Sequence, residues 1–211
     1  MPELARPTHR RVAILMFDDV ETLDFAGPYE VFTTASRVSR KRSGADTPAP
    51  FEVHTVARDG GMVRARAGLQ VLVDHSFDTA PAADVLIVPG GVVDAACACP
   101  RTLAWLAQAA APAELVASVC TGAFLLAAAG IVSDGPVTTH WEDLADLQRA
   151  HPALDVQADR LWVDRGRVVT SAGIAAGIAM SLHLVARLAG ADLATATARQ
   201  LQVPWRDDPT P

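Results

Sequence analysis

Short, continuous runs of apolar residues alternate with longer helical patterns along most of the chain. Such runs are typical of strands that are buried on both faces of a parallel sheet. Strands are predicted at 12–17, 51–57, 84–88 and 115–119, strand pairs at 63–66 with 69–74 and at 161–163 with 167–171, a short strand at 137–139, and helices at 28–42, 101–111, 121–129, 142–150, 175–188 and 192–201. This alternation predicts an α/β fold whose sheet is mostly parallel and carries helices on both faces.

Length and charge limit the functional classes. The chain has 211 residues without a repeat or an evident linker, which predicts a single domain over 1–211. The formal net charge of −6 argues against a nucleic-acid partner, because phosphate binding needs a basic face. No apolar run approaches the roughly 20 residues of a membrane span, and the N-terminus lacks the apolar segment of a signal peptide.

The cysteines indicate the compartment and bear on metal binding. The chain has three cysteines, an odd number that predicts free thiols in a reducing cytoplasm. Cys97 and Cys99 have no matching second pair, so we expect no metal site, and the chemistry predicted below requires no cofactor.

The strongest local signal is the stretch Ala117-Ser118-Val119-Cys120-Thr121-Gly122-Ala123, in which a predicted buried strand leads directly into a cysteine and then a helix. A sharp turn of this kind projects a nucleophile above the sheet. The start of the following helix favours a thiolate, because its N–H groups and its dipole are positive there. The alternative is that Cys120 is a small buried hydrophobe, as most free cysteines are.

Asp24 is the second candidate, in the acidic loop that follows the first strand. Leu23 and Phe25 flank it, and apolar surroundings raise the pKa of a carboxyl group towards neutrality, where it can exchange a proton. Pro28 predicts the start of a helix, because the first helical turn does not need the N–H that proline lacks. The alternative for Asp24 is an N-terminal cap of that helix.

Two further motifs follow predicted strands. Gly90 and Gly91 free the backbone to offer N–H groups to an anion, although the same pair could simply form a tight turn. His140 could polarise a thiol beside Trp141, which would form an aromatic pocket wall. The alternative for His140 is a hydrogen-bonded structural role.

Together these motifs resemble the ThiJ/PfpI family, within the class I glutamine amidotransferase-like fold. The matching stretches are 23–32, 88–91, 118–127, 138–141 and 170–173, in register over about 11–203. The resemblance implies a flavodoxin-like three-layer sandwich and a homodimer. It also implies that Cys120 is the reactive cysteine at the elbow and that Asp24 is the acid placed against its sulfur.

Within the family, the pattern most resembles the isonitrile hydratase branch and the N-terminal domains of AraC-type regulators. This implies a role for Thr121, an anion pocket at Gly90 and Gly91, and a place for His140 near the cysteine. Thr121 stands where the protease-like branch carries histidine, which argues against a peptidase. Ala179 stands where relatives often carry an aspartate, which leaves the role of that helix start open.

We therefore predict a small-molecule enzyme that uses Cys120 to add water to an isonitrile and gives an N-substituted formamide. Two alternatives stay open. One is a glyoxalase- or deglycase-type enzyme, in which the sulfur adds to an aldehyde carbon. The other is a cysteine-based redox or ligand sensor related to the regulator domains.

Overall fold

The structure is a computed structural model that describes residues 9–44 and 47–210. The strands are β1 (Arg10–Met16), β2 (Phe51–Ala57), β3 (Met62–Arg64), β4 (Gln70–Leu72), β5 (His75–Ser76), β6 (Val85–Val88), β7 (Leu115–Val119), β8 (Gly135–Val137), β9 (Leu154–Val156), β10 (Trp162–Asp164) and β11 (Val168–Ser171). The helices are α1 (Thr22–Ser43), α2 (Asp94–Cys97), α3 (Pro100–Ala110), α4 (Gly122–Ala128), α5 (Leu144–Ala150), α6 (Ala176–Ala189) and α7 (Ala191–Leu201).

The central sheet has seven strands in the order β10-β11-β7-β6-β1-β2-β5. Every pairing in it is parallel except that of β10 with β11. Its five middle strands follow the flavodoxin-like order. The chain places β2 on one side of β1 and then β6, β7 and β11 on the other side, so the order in which strands are added reverses between β1 and β6. Ligands of such sheets bind beyond the carboxyl ends of the strands at this reversal, which is where the loops after β1, β6 and β7 meet.

Alternate residues of the central strands pack into two separate apolar cores. In β1, Val12 and Ile14 face α1, α6 and α7, whereas Ala13 and Leu15 face α3, α4 and α5. The period of two along a strand places neighbouring side chains on opposite faces of the sheet. The predicted three-layer α/β sandwich is therefore confirmed.

The predicted start of the first helix is wrong. Helix α1 begins at Thr22, and Pro28 lies inside it. A side-chain oxygen of Glu21 accepts a hydrogen bond from the N–H of Thr22 at 3.1 Å, which caps the helix before the proline. Asp24 therefore lies in the first turn of α1 and does not cap a helix at residue 28.

The predicted strand at 137–139 also differs from the structure, because β8 ends at Val137. The next two threonines turn their hydroxyl groups to other segments. Thr138 donates to the carbonyl oxygen of Gln157, and Thr139 donates to that of Cys120, both at 2.8 Å. These tertiary hydrogen bonds outweigh the local preference for a strand.

None of the described helices is both long enough and apolar enough to cross a membrane.

Candidate active site

Cys120 lies between β7 and α4 with a φ angle of 57°, in the left-handed region that a non-glycine residue rarely adopts. Its N–H faces the carbonyl oxygens of Ser171 and Ala172, each at 3.2 Å. Its own carbonyl oxygen accepts the hydroxyl of Thr139 at 2.8 Å. Backbone strain of this kind persists where the surrounding contacts hold it, and it is frequent at functional sites.

Gly122 allows the elbow to fit against the neighbouring strand. A Cβ atom at this position would lie 2.1 Å from the carbonyl oxygen of Val88, the last residue of β6. The clash would be with backbone, which cannot move aside without disturbing the sheet. Gly122 therefore permits a close approach between the start of α4 and the end of β6.

Asp24 is fully buried beside this elbow. One of its oxygens, Oδ2, accepts the N–H of Gly90 at 3.1 Å. The other, Oδ1, is buried without a hydrogen-bond partner among the residues that the structure describes. Burial raises the pKa of Asp24 to about 7 and the charge of Glu21 adds to the rise, while Gly90 and the Cys120 thiol oppose it. The carboxyl group can therefore exchange a proton near neutral pH.

The thiol of Cys120 does not have the low pKa expected from its place at a helix start. Burial raises the pKa of Cys120 to about 12, and the negative charges of Asp24 and Asp143 contribute to the rise. The N–H and hydroxyl of Thr121 lower the pKa but do not compensate. The helix start was predicted to favour a thiolate, but with this pKa the sulfur keeps its proton at neutral pH.

The N–H groups of Gly90 and Gly91 are already engaged within the protein. That of Gly90 donates to Asp24, and that of Gly91 donates to Oγ1 of Thr121 at 2.9 Å. The hydroxyl of Thr121 donates in turn to the carbonyl oxygen of Gly91, also at 2.9 Å. The expected anion pocket is therefore not formed by these two N–H groups, because side chains of the site accept from both.

Gly90 has a steric reason to be glycine. A Cβ atom there would lie 2.5 Å from Oγ1 of Thr121 and 3.0 Å from Oδ2 of Asp24. The first turn of α1 and the loops after β6 and β7 therefore converge at this residue. The structure thus brings Cys120, Asp24, Thr121 and Gly90 together.

His140 lies on the segment that follows β8. Its Nδ1 is 3.4 Å from a carboxylate oxygen of Asp143 and 3.7 Å from one of Glu142. The imidazole packs so closely on Gly173 that a Cβ atom there would lie 2.0 Å from its Cδ2. Since Asp143 also raises the pKa of Cys120, this segment borders the elbow.

Trp141 does not enclose the elbow as an aromatic wall. Its side chain is at the surface, 72% exposed, and its indole is tilted against the ring of His140. It belongs to a single turn of 3₁₀ helix, Trp141–Asp143, that leads into α5. The exposed indole therefore does not support the predicted role of Trp141 as an aromatic pocket wall.

Three residues of the site were assigned no role from the sequence. Thr139 holds the carbonyl group of Cys120, Asp143 contributes charge, and the N–H of Ile174 lowers the pKa of Asp24. Thr139 lies within the motif at 138–141 and Asp143 lies two residues after it, so the motif pointed to the right segment. Nothing in the sequence singled out Ile174, whose φ of 52° is unusual for a β-branched residue.

A second thiol lies in a different environment. Cys99 precedes α3 and lines a cavity of about 250 Å³ together with Phe17, Phe77 and Thr102. Hydrogen bonds from Thr102 lower the pKa of Cys99 to about 7, and Arg58, whose guanidinium is 3.9 Å from the sulfur, contributes. Cys120 is not among the residues that line this cavity.

Within residues 9–44 and 47–210, no cluster of three or more histidine, cysteine, aspartate or glutamate side chains is arranged to hold a metal ion.

Comparisons with known proteins agree on one family. The sequence profile of the DJ-1/PfpI family matches residues 10–187. The isonitrile hydratase of Pseudomonas putida is 36% identical over 200 residues, which are 94% of this chain and 80% of that protein. A solved ThiJ/PfpI family protein from Pseudomonas syringae superposes with a TM-score of 0.79 at 27% identity, over 96% of this chain and 81% of that one.

A transcriptional regulator is also similar. The HTH-type transcriptional regulator GbdR of Pseudomonas aeruginosa is 32% identical over 185 residues, which are 88% of this chain. The match covers 48% of the regulator, so this chain corresponds to about half of that protein's length.

Proposed function

The chain belongs to the DJ-1/PfpI family, and we propose that it is a cysteine-dependent hydratase that converts an isonitrile into an N-substituted formamide. The observation that carries the proposal is the pairing of a protonated thiol at a strained elbow with a buried carboxyl group whose Oδ1 has no partner among the described residues. The similarity to an isonitrile hydratase over most of the chain supports the choice of substrate.

The first step joins the sulfur to the substrate. Ionised Asp24 takes the proton of the Cys120 thiol and passes it to the terminal carbon of the isonitrile, while the sulfur bonds to that same carbon. One electron pair of the carbon–nitrogen bond moves to nitrogen, which gives a thioimidate. The pKa of Asp24, about 7, suits this role because the group must both accept and release the proton.

The second step releases the product. Water adds its oxygen to the thioimidate carbon, and one of its protons reaches the nitrogen through Asp24. The carbon–sulfur bond then breaks as the hydroxyl proton passes to the sulfur, and the formamide leaves. Atoms balance as one isonitrile plus one water, and neither a metal nor a redox partner enters.

Thr121 and His140 have positioning roles in this proposal. Thr121 holds the Gly91 backbone against the elbow through its two hydrogen bonds. His140, held between Gly173 and Asp143, borders the substrate beside the sulfur.

A ligand sensor is the second candidate, and the similarity to a regulator favours it. A redox sensor is less well supported, because oxidation follows thiolate character and burial keeps the Cys120 thiol protonated. Addition to a dicarbonyl would use the same thiol and carboxyl group, so the test described next also distinguishes this alternative.

The test is turnover of a panel of small isonitriles with detection of the formamide. We expect turnover by the wild type and a loss of at least roughly a thousandfold in Cys120→Ala and in Asp24→Asn. Cys99→Ala is the matched control and should retain activity, because Cys99 lies outside the site. Formamide production by Cys120→Ala at the wild-type rate would overturn the mechanism. Consumption of dicarbonyls but not isonitriles would favour the alternative substrate, and binding without turnover would favour the sensor.

A homodimer in the cytoplasm belongs to the same proposal. Light scattering on the purified chain would give the mass in solution, and quenching of Trp141 fluorescence would report whether a second copy covers this exposed side chain.

A further inference from the structure

The charges around Cys120 bear on which isonitriles the site admits, a question that rests on the proposed function. We propose that the site selects electrically neutral substrates, and that Asp143 is the specificity-determining residue that excludes anionic ones.

The first argument concerns hydrogen-bond donors. An anionic substrate group would need N–H groups or cations to replace its water. The backbone donors that the loop after β6 presents are already taken, that of Gly90 by Asp24 and that of Gly91 by Thr121. An anion at this loop would therefore lose its hydration without gaining these partners.

The second argument concerns charge. Two acids lie on segments that contact the elbow. Asp24 is buried beside it, and Asp143 lies four residues after Thr139, whose hydroxyl donates to the carbonyl oxygen of Cys120 at 2.8 Å. The negative charges of both acids raise the pKa of the Cys120 thiol. Glu142 lies on the same turn as Asp143, with a carboxylate oxygen 3.7 Å from Nδ1 of His140. A negative substrate would approach the sulfur against these charges.

Two basic groups on the segments around the site pair with acids. Arg66 lies 3.4 Å from a carboxylate oxygen of Glu21. His140, when protonated, faces both Asp143 and Glu142. On these segments, cations therefore do not outnumber acids.

The third argument is Oδ1 of Asp24, which is buried without a hydrogen-bond partner within residues 9–44 and 47–210. An acceptor without a donor favours a ligand that brings a proton or no charge, and it repels carboxylate oxygens. A neutral isonitrile meets the second of these conditions, because it adds no negative charge beside this oxygen.

The main experiment compares two substrates of nearly equal shape, isocyanoacetamide and the isocyanoacetate anion. We expect kcat/KM to be roughly tenfold or more higher for the amide. The reason is that repulsion between the substrate carboxylate and the acids of a partly screened site lowers kcat/KM for the anion by about this factor. The preference should shrink at high ionic strength, which a purely steric preference would not do.

Asp143→Asn removes the charge and nearly preserves the shape. We expect the ratio of kcat/KM for the anion to that for the amide to rise several-fold in this variant. Asp146→Asn, on the next turn and paired with Arg149, is the matched control and should leave the ratio near its wild-type value. An unchanged ratio in Asp143→Asn would remove Asp143 from the proposal.

A second readout does not depend on isonitrile turnover. The rates at which iodoacetamide and iodoacetate alkylate Cys120 are each divided by the rate of the same reagent with free mercaptoethanol. The normalised rate should be higher for the neutral reagent, iodoacetamide. Cys99 in the same molecule should show a higher relative rate with iodoacetate, because Arg58 stands beside its sulfur.

The two readouts separate the possible failures. A neutral preference at Cys120 without isonitrile turnover would overturn the proposed function but keep the charge selection. Turnover of both isonitriles at equal rates, or equal normalised alkylation of Cys120, would overturn the charge selection alone. A Cys120 that reacts with neither reagent and turns over neither isonitrile would overturn both.

Discussion

Cys120 and Cys99 both lie at the start of a helix, Cys120 two residues before α4 and Cys99 directly before α3. Each sulfur is therefore near the positive end of a helix dipole. The pKa of Cys120 is nevertheless raised to about 12, whereas that of Cys99 is lowered to about 7. The difference comes from burial against Asp24 at one thiol, and from the hydroxyl of Thr102 and the guanidinium of Arg58 at the other.

The comparison teaches that a helix start alone does not make a thiolate. The dipole is worth roughly 0.3–1 kcal/mol at an exposed position, which is less than the cost of burying a charge. The same comparison shows why reactivity towards a general reagent and catalytic competence need not belong to the same cysteine. In the proposed mechanism, the elbow thiol depends on Asp24 to remove its proton, whereas the Cys99 thiol, whose pKa is lowered to about 7, needs no such partner.

The largest effect that would test the comparison is in alkylation rates. Near neutral pH we expect iodoacetamide to modify Cys99 roughly several hundredfold faster than Cys120, because the thiolate fraction outweighs the lower nucleophilicity of a weaker base. Peptide mass mapping over time measures both rates in one sample. Cys97, whose pKa burial raises to about 11, is the internal control and should react slowly as well. Faster labelling of Cys120 than of Cys99 would contradict the assigned environments.

The second effect concerns the stability cost of Asp24. Its pKa is raised from 3.8 to about 7 in the folded state, so folding favours the protonated form. The contribution of protonated Asp24 to the unfolding free energy is complete below the pKa of the unfolded state and is lost as the pH rises through about 7. Asp24→Asn cannot ionise, so its gain in unfolding free energy over the wild type should grow across that window to at most about 4 kcal/mol.

Urea unfolding of wild type and Asp24→Asn at several pH values measures this gain. Asp78→Asn, at an exposed carboxylate paired with Arg101, is the control and should show no such gain. A difference between wild type and Asp24→Asn that is the same at about pH 4 and about pH 8 would contradict the raised pKa.

The third effect tests the support of the elbow. Thr139→Val removes the hydroxyl that donates to the carbonyl oxygen of Cys120 and leaves that buried acceptor without this partner. We expect a loss of about 1–3 kcal/mol in unfolding free energy and a lower kcat with little change in KM. Thr139→Ser keeps the hydroxyl and should recover most of the kcat. The alkylation rate of Cys99 should not change in either variant.

The smallest effect tests the other side of the comparison. Arg58→Gln removes the guanidinium beside the sulfur, so the pKa of Cys99 should rise and its alkylation near neutral pH should slow a few-fold. The effect is modest because Thr102 makes the larger contribution. Arg11→Gln, at an exposed arginine away from this cavity, is the control. An unchanged pH profile of Cys99 alkylation would remove Arg58 from the explanation.

Much of the fold followed from local patterns. The continuous apolar runs at β1, β6 and β7 predicted buried parallel strands, because alternate side chains of each must face two helical layers. The first helix was misplaced because Pro28 is a strong local signal for a start. The structure tolerates this proline inside α1, where the neighbouring Phe25, Val31 and Phe32 are buried.

The site was predicted in part. Cys120, Asp24 and Gly90 are brought together as their positions at strand ends indicated, and the pKa of Asp24 lies near neutrality as its apolar flanks predicted. The N–H groups of Gly90 and Gly91 were expected to face an anion, yet both bind side chains from other loops. Sequence spacing does not say which acceptor reaches a given donor first.

The sequence by itself determined the layered α/β architecture and the cysteine at a strand-to-helix turn, because both depend on residue type and spacing over a few positions. Only the tertiary structure decided the protonation state of that cysteine and the charge of its surroundings. Those properties depend on how far Cys120 is removed from water and on which acids, Asp24 from α1 and Asp143 from the segment before α5, are folded against it. Desolvation and Coulomb interaction act through space, and distances between remote segments are set by packing.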